Sequence, residues 1–316
     1  MRFILVLTVL CALLASSRAV EVTLLTQNEL GEALPARLHV TDALGSPFPG
    51  YPDSSYLSHD RMGGYFYSMG TVTMELPSGP TTIGAMHGFE HEPFEDVVVI
   101  EGDTTLVVTL PKRFGLRQLG WYAGDMHSHT IHEPVDFVVS PYGVLRTALA
   151  EDLRMVWVLD SGHEFTGGPH AISTPEHIIY YTVEYRNQAY GHVALLGLVT
   201  HFGDWCCGPP NLPAYPMLTY IHDDWSPGFG QVMCLAHPQT GGDFFNDETW
   251  PGVGLGRELP VMAVMGTLDG LELASYSNNP DLFMEDWYGL LNCGHRVPGG
   301  AGTDAGRPDG EVPFDA

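Results

Sequence analysis

The hydrophobic positions of the chain fall into three stretches with different patterns. From Phe3 to Leu14 they run almost without interruption, after the short basic start Met1-Arg2, and Ser17-Arg18-Ala19 closes the run with a small-x-small pattern. This predicts a secretory signal peptide over residues 1–19, cleaved after Ala19. The run is shorter than the ~20 residues that span a bilayer, and no other apolar run is longer, so the expectation is a secreted or periplasmic chain with no membrane insertion after cleavage.

From 20 to about 115 the pattern is short and β-prone. Val22–Leu25, Ala36–Val40, Gly70–Leu76 and Thr104–Leu110 are rich in Val, Thr and Leu. Leu44-Gly45-Ser46-Pro47 and Pro77-Ser78-Gly79-Pro80 punctuate them. Strands at this spacing, without helical periodicity, predict a small all-β sandwich.

From 116 to 316 apolar strands alternate with helical stretches. The strands are Met155–Leu159, His192–Leu198, Val232–Ala236 and Leu271–Leu273. Pro141–Leu153 reads as a helix with Ser140 as N-cap and proline at the first helical position. Asp281–Cys293 reads as another, with Gly294 as its C-terminal cap. Continuous apolar strands between helices predict a parallel sheet covered on both faces, of the α/β barrel kind.

Charge narrows the function. Thirteen Lys and Arg stand against 38 Asp and Glu, a net charge of −25, and Lys112 is the only lysine. Nucleic acid is excluded as a partner, because phosphate backbones need clustered cations, and an anionic membrane surface is disfavoured for the same reason. Adjacent Cys206 and Cys207, with Cys234 and Cys293, include no C-x-x-C pair, so no zinc finger is present. Cys234 lies in an apolar run and reads as a buried small hydrophobe, while Cys293 could bridge to Cys206 or Cys207.

The 15 histidines carry the remaining signal. In Gly124-Asp125-Met126-His127-Ser128-His129, two imidazoles at i and i+2 of a strand share a face and can hold one metal ion. Asp125 is placed to fix a ring from behind. Further ligand-type residues stand near other strands: Asp160 and His163, Glu184, His192, His237 and Asp304. At the C-terminal ends of barrel strands such groups would converge on one site. Glu272, in Leu-Glu-Leu, reads equally as a substrate contact or a buried structural acid. His132, Glu133 and Asp136 rank lower. His39, His59, His87 and His91 read as surface or structural, and His170, His177, His201, His222 and His295 as loop or helix-surface residues. No G-x-S-x-G elbow or glycine-rich phosphate loop is present.

These motifs carry a resemblance. GDMHSHT (124–130), LDSGHEF (159–165), EYRNQAYGHVALLGL (184–198), LAHP (235–238) and DWYGLLNCGHRVPGGAGTDAG (286–306) resemble the PHP metallohydrolase superfamily, and within it the CehA/McbA type. The first region resembles carboxypeptidase-regulatory-like or transthyretin-like β-sandwiches. The resemblance implies a distorted (β/α)7 barrel that binds two or three divalent ions, zinc, manganese or iron. It implies His127, His129, His163, Glu184, His192, His237 and Asp304 as metal ligands. Glu184 would bridge two ions, and Asp304 would either accept the proton of the attacking water or only ligate. His163, Glu184 and Asp304 are the residues at which catalysis is expected. Two departures stand out: Asp-Ser-Gly-His replaces the usual Asp-His in the second motif, and Gly306 stands where the last motif carries a histidine. The latter implies two tight ions, with a third weak or absent. The expected activity is a metal-dependent hydrolase of a small-molecule or polymer-derived substrate. Phosphoesters are the leading substrates, with amides, carbamates or carboxylic esters as the alternative. A non-catalytic, metal-stabilised surface binder is the rival class.

Overall fold

The computed structural model describes residues 19–47, 65–130, 139–159, 164–187, 190–201, 215–225, 232–238, 256–274 and 280–304. The signal-peptide run, His132, Glu133, Asp136, Asp160, His163, Cys206, Cys207 and Gly306 lie outside them. The chain divides into two compact units, Met1–Gly115 and Leu116–Ala316.

The first unit contains β1 (Ala19–Gln27), β2 (Ala36–Thr41), β3 (Phe66–Ser68), β4 (Thr71–Pro77), β5 (Gly79–Met86), β6 (Phe94–Ile100) and β7 (Thr104–Thr109). They form two sheets, ordered β4-β1-β7 and β3-β2-β5-β6. The period of two along β1 buries Val20, Val22 and Leu24 on one face. Leu38, Val40, Leu76 and Ile83 close the same core from the other strands, with Leu110 just past the end of β7. Ser78 alone separates β4 from β5 and carries the chain from one sheet to the other. In the turn after β2, Asp42 Oδ1 accepts from the amides of Leu44 and Ser46, both at 2.9 Å, and Gly45 adopts φ +78°. His87 has a structural role: it is buried, and its Nδ1 donates to the Pro35 carbonyl at 2.7 Å.

The second unit contains β8 (Gly124–Ser128), β9 (Met155–Val158), β10 (Ile178–Tyr181), β11 (Val183–Asn187), β12 (Gly191–Leu196), β13 (Val232–Ala236), β14 (Gly270–Ala274) and β15 (Gly299–Ala301). Its α-helices are α1 (Pro141–Ala150), α2 (Tyr215–Tyr220), α3 (Leu259–Met265) and α4 (Pro280–Asn292). Ser140 Oγ accepts from the Gly143 amide at 3.2 Å, with Pro141 opening α1. Gly294, with φ +90°, follows the end of α4.

The expected (β/α)7 barrel is not present. Among the described residues strand outweighs helix, in four small sheets with four α-helices. The second unit has a parallel three-stranded sheet, β10-β9-β8, and a mixed sheet, β11-β12-β13-β14-β15. β11, β12 and β13 pair antiparallel, whereas β13, β14 and β15 pair parallel. The difference lies in how the apolar runs are covered. Val193, Leu195, Leu235 and Leu271 face α2, α3 and α4 through Leu218, Leu259, Met262 and Leu290. The opposite face of the same strands carries Ala194, Leu196 and Cys234, and these meet Leu159, Met126 and Trp157 of the β8–β9 region. A strand covered by helices on one side and by another sheet on the other is as continuously apolar as a barrel strand. The sequence pattern does not tell the two apart.

Candidate metal centre

The site face of the mixed sheet follows from this alternation. Register places Glu184 opposite Ala194, Arg186 opposite His192, and His192 opposite Ala236. Glu184, Arg186, His192 and Glu272 therefore share the face that carries Ala194 and Cys234, turned from the helices. Because β12 runs antiparallel to β13, His192 near the start of one strand lies beside His237 just past the end of the other; their ring centroids are 4.9 Å apart. β8 supplies His127 from the other sheet, and His129 follows its last residue.

β15 brings the final acid. The Asp304 amide donates to the His127 carbonyl at 2.7 Å. Asp125 Oδ1 accepts from the amides of His127 at 2.9 Å and Thr303 at 3.2 Å, while its Oδ2 accepts from Thr303 Oγ1 at 2.6 Å. Asp125 thus holds two backbone segments together; it does not orient a ring, as the sequence suggests. Its burial raises its pKa to about 6, despite the three bonds that favour the carboxylate. Gly302 permits the approach, since a Cβ there would lie 2.4 Å from His127 Cβ.

His127 is the centre of the cluster and has no exposed surface. Its Nε2 is 3.1 Å from His129 Nε2, 3.6 Å from Glu184 Oε1 and 3.4 Å from Asp304 Oδ1. His129 Nε2 lies 3.4 Å from Asp304 Oδ1 and 3.4 Å from Glu184 Oε2. His237 Nε2 is 3.6 Å from Glu184 Oε1. His192 Nδ1 lies 2.9 Å from Glu184 Oε1, and its buried Nε2 has no hydrogen-bond partner among the described residues.

Behind this layer, Glu272 Oε2 accepts from His127 Nδ1 and from the His237 amide, both at 2.9 Å. That bond places the Nδ1 proton toward Glu272 and leaves Nε2 as the metal-facing atom. His237 and Asp304 hold φ values of +25° and +47°; Asp152 is the only other non-glycine residue with positive φ among the described residues. Backbone in this sparsely populated region persists where its surroundings fix it, often at functional sites.

Electrostatics favour a cation. Burial works against a charged His127, but Glu272, Asp304 and Glu184 outweigh it and raise the pKa to about 10. Burial likewise opposes the Asp304 carboxylate, which His127, His129 and His237 nonetheless hold down at about 2. Glu184 is kept well below the usual carboxylate range, against its burial, by Arg186, His127 and His192. The Arg186 Nε donates to Glu184 Oε2 at 2.6 Å.

The donor set fits a divalent ion. His127, His129 and Asp304 form one group with all donor atoms within 4.8 Å, and His127, Glu184 and His237 form another. A tetrahedral ion with donors near 2.05 Å requires donor–donor edges of about 3.3 Å, against the 3.1 Å and 3.4 Å found in the first group. The His192 ring adds a further imidazole next to the second group, with its Nδ1 2.9 Å from Glu184 Oε1.

Of the seven metal ligands expected from sequence, the structure brings together His127, His129, Glu184, His192, His237 and Asp304; His163 lies outside the described residues. Sequence reasoning misses Thr303 and Gly302 and leaves Glu272 open. A lone acid between two strand leucines is the available signal for Glu272, since a buried carboxylate needs a partner. Two surface readings change as well. His177 is buried with its Nδ1 on the Leu153 carbonyl at 2.8 Å, and half-buried His170 bonds Glu164 at 3.1 Å. Compared with known proteins, the sequence matches no protein-family model and no curated protein.

Proposed function

We propose that this chain is an exported, metal-dependent hydrolase of phosphoesters. The carrying observation is the buried cluster of imidazoles and carboxylates at ligand-like separations. His127, His129 and Asp304 would hold one ion. His237 and His192 would serve a second, with Glu184 between them, because its two oxygens face different imidazoles. The motif resemblance to PHP metallohydrolases supports the reaction class, without the barrel. A bound divalent ion supplies Lewis acidity and a water with a pKa near 7.

The chain's own groups set the conditions for that chemistry. Glu272 fixes the tautomer of His127, and Asp125 with Thr303 fixes the backbone from which Asp304 projects. Asp304, buried and held as the carboxylate by the surrounding imidazoles, would accept a proton from water or only ligate. The test is hydrolysis of p-nitrophenyl phosphate by protein reconstituted with zinc, manganese or iron. Turnover that disappears with chelator and returns with metal supports the proposal. Metal-loaded protein inert toward a panel of phosphoesters, carboxylic esters and amides would refute it.

A further inference from the structure

Arg186 is the one basic side chain that, among the described residues, touches the donor cluster. Its Nε is fixed on Glu184 Oε2 at 2.6 Å, and its Nη2 is 3.5 Å from His129 Nε2. Its side chain is 27% exposed, whereas Glu184 beneath it is 1% exposed. The guanidinium thus spans from a buried ligand to solvent.

The carboxylates of Glu184, Asp304 and Glu272 make the cluster as a whole favourable for a cation, whereas the fixed positive charge of Arg186 beside the imidazole donors locally repels a divalent ion. That local repulsion is offset when the bound molecule brings negative charge to the junction. A guanidinium suits such a molecule, because it stays charged and its planar fork pairs with two oxygens of one oxyanion. The rest of the chain offers little competition for an anion, with a net charge of −25 and one lysine.

We infer that Arg186 is a specificity-determining residue that binds the phosphoryl oxygens of the substrate beside the metal donors. This rests on the hydrolase reading and adds to it the charge of the group recognised. Glu184 orients the guanidinium, so that one carboxylate positions both the imidazoles and the anion-binding group.

The experiment titrates inorganic phosphate into metal-reconstituted full-length protein by calorimetry, for the native chain, Arg186→Met and Arg186→Lys, with metal content measured on each sample. Losing a charge-assisted bidentate contact should weaken phosphate about 10- to 100-fold in Arg186→Met. Arg186→Lys should fall between, keeping charge but losing the fork. On p-nitrophenyl phosphate the loss should appear in KM more than in kcat. The preference for that substrate over neutral p-nitrophenyl acetate should fall about tenfold or more. Phosphate affinity unchanged in Arg186→Met at full metal content would overturn the inference. So would a metal-loaded native chain that binds no phosphate. If Arg186→Met loses its metal, Arg186→Lys decides: full metal with native phosphate affinity and KM overturns the role, and metal loss there too makes Arg186 only a support for Glu184. A native chain that binds metal and phosphate but hydrolyses nothing refutes the hydrolase reading, while the phosphate titrations still decide the role of Arg186.

Discussion

Glu272→Gln changes one charge and almost no volume behind the candidate metal centre. Glu272 accepts two hydrogen bonds at 2.9 Å, one from His127 Nδ1 and one from the amide of His237, and both residues present Nε2 to the cluster. The carboxylate also draws positive charge onto His127. A hydrogen bond to a charged group contributes about 1.5–3 kcal/mol, and a neutral one about 0.5–1.5 kcal/mol. Neutralising the shared acceptor therefore costs about 2–3 kcal/mol over both bonds, or roughly 30- to 150-fold in metal affinity at 1.4 kcal/mol per tenfold. This agrees with the ~10- to 100-fold typical of groups that orient metal-bound histidines. Competition with a chromophoric chelator gives the dissociation constant directly. The same substitution in a His127→Ala background should lose much less, because the shared ring is gone. Affinity within twofold of native for Glu272→Gln would refute the orienting role. An undiminished loss in the His127→Ala background would locate the effect elsewhere.

Three other outcomes follow from particular contacts. Gly302→Ala should lower unfolding stability by about 1–3 kcal/mol and reduce metal content, because the new Cβ would lie 2.4 Å from His127 Cβ; native denaturation midpoints and metal content would contradict this. The Cys234 thiol, pushed up to about 12 by burial, with Asp269 and Glu272 adding to the shift, should resist iodoacetamide at pH 8 in the native chain while exposed Cys293 reacts; equal labelling in peptide mapping would be the contrary result. For His222, partial burial disfavours the charged ring, but Asp223 at 2.7 Å and Asp269 at 3.4 Å raise its pKa above the ordinary value. Its contribution to stability is complete below about 6.5 and is lost as the pH rises through the raised value. NMR titration should show Asp269→Asn lowering that pKa, and no change would contradict the pairing.

The sequence reveals local elements better than their assembly. β1, β2, β4 and β7 stand out through β-branched residues between turn clusters. β9, β13 and β14 stand out as compact apolar runs. β3 and β15 have three residues each, the latter Gly-Gly-Ala, and carry too little pattern to be recognised. Strand direction is not legible at all. Whether His192–Leu196 runs parallel or antiparallel to Val232–Ala236 depends on contacts about 40 residues apart, and the antiparallel pairing removes the need for a crossover helix. The candidate ligands are more legible than the fold, because His-x-His and isolated acids beside apolar runs are costly to bury without partners. The supporting groups are less so. Thr303 and Gly302 look like ordinary turn residues until β15 is seen against β8.

The most direct test of the metal centre is elemental analysis of the full-length chain after gel filtration in metal-free buffer. The native protein should retain at least one divalent ion per chain, and the His127→Ala/His129→Ala double variant should retain none while staying folded. A native chain that emerges folded and metal-free after incubation with zinc, manganese and iron, or a double variant with native metal content, would contradict the assignment.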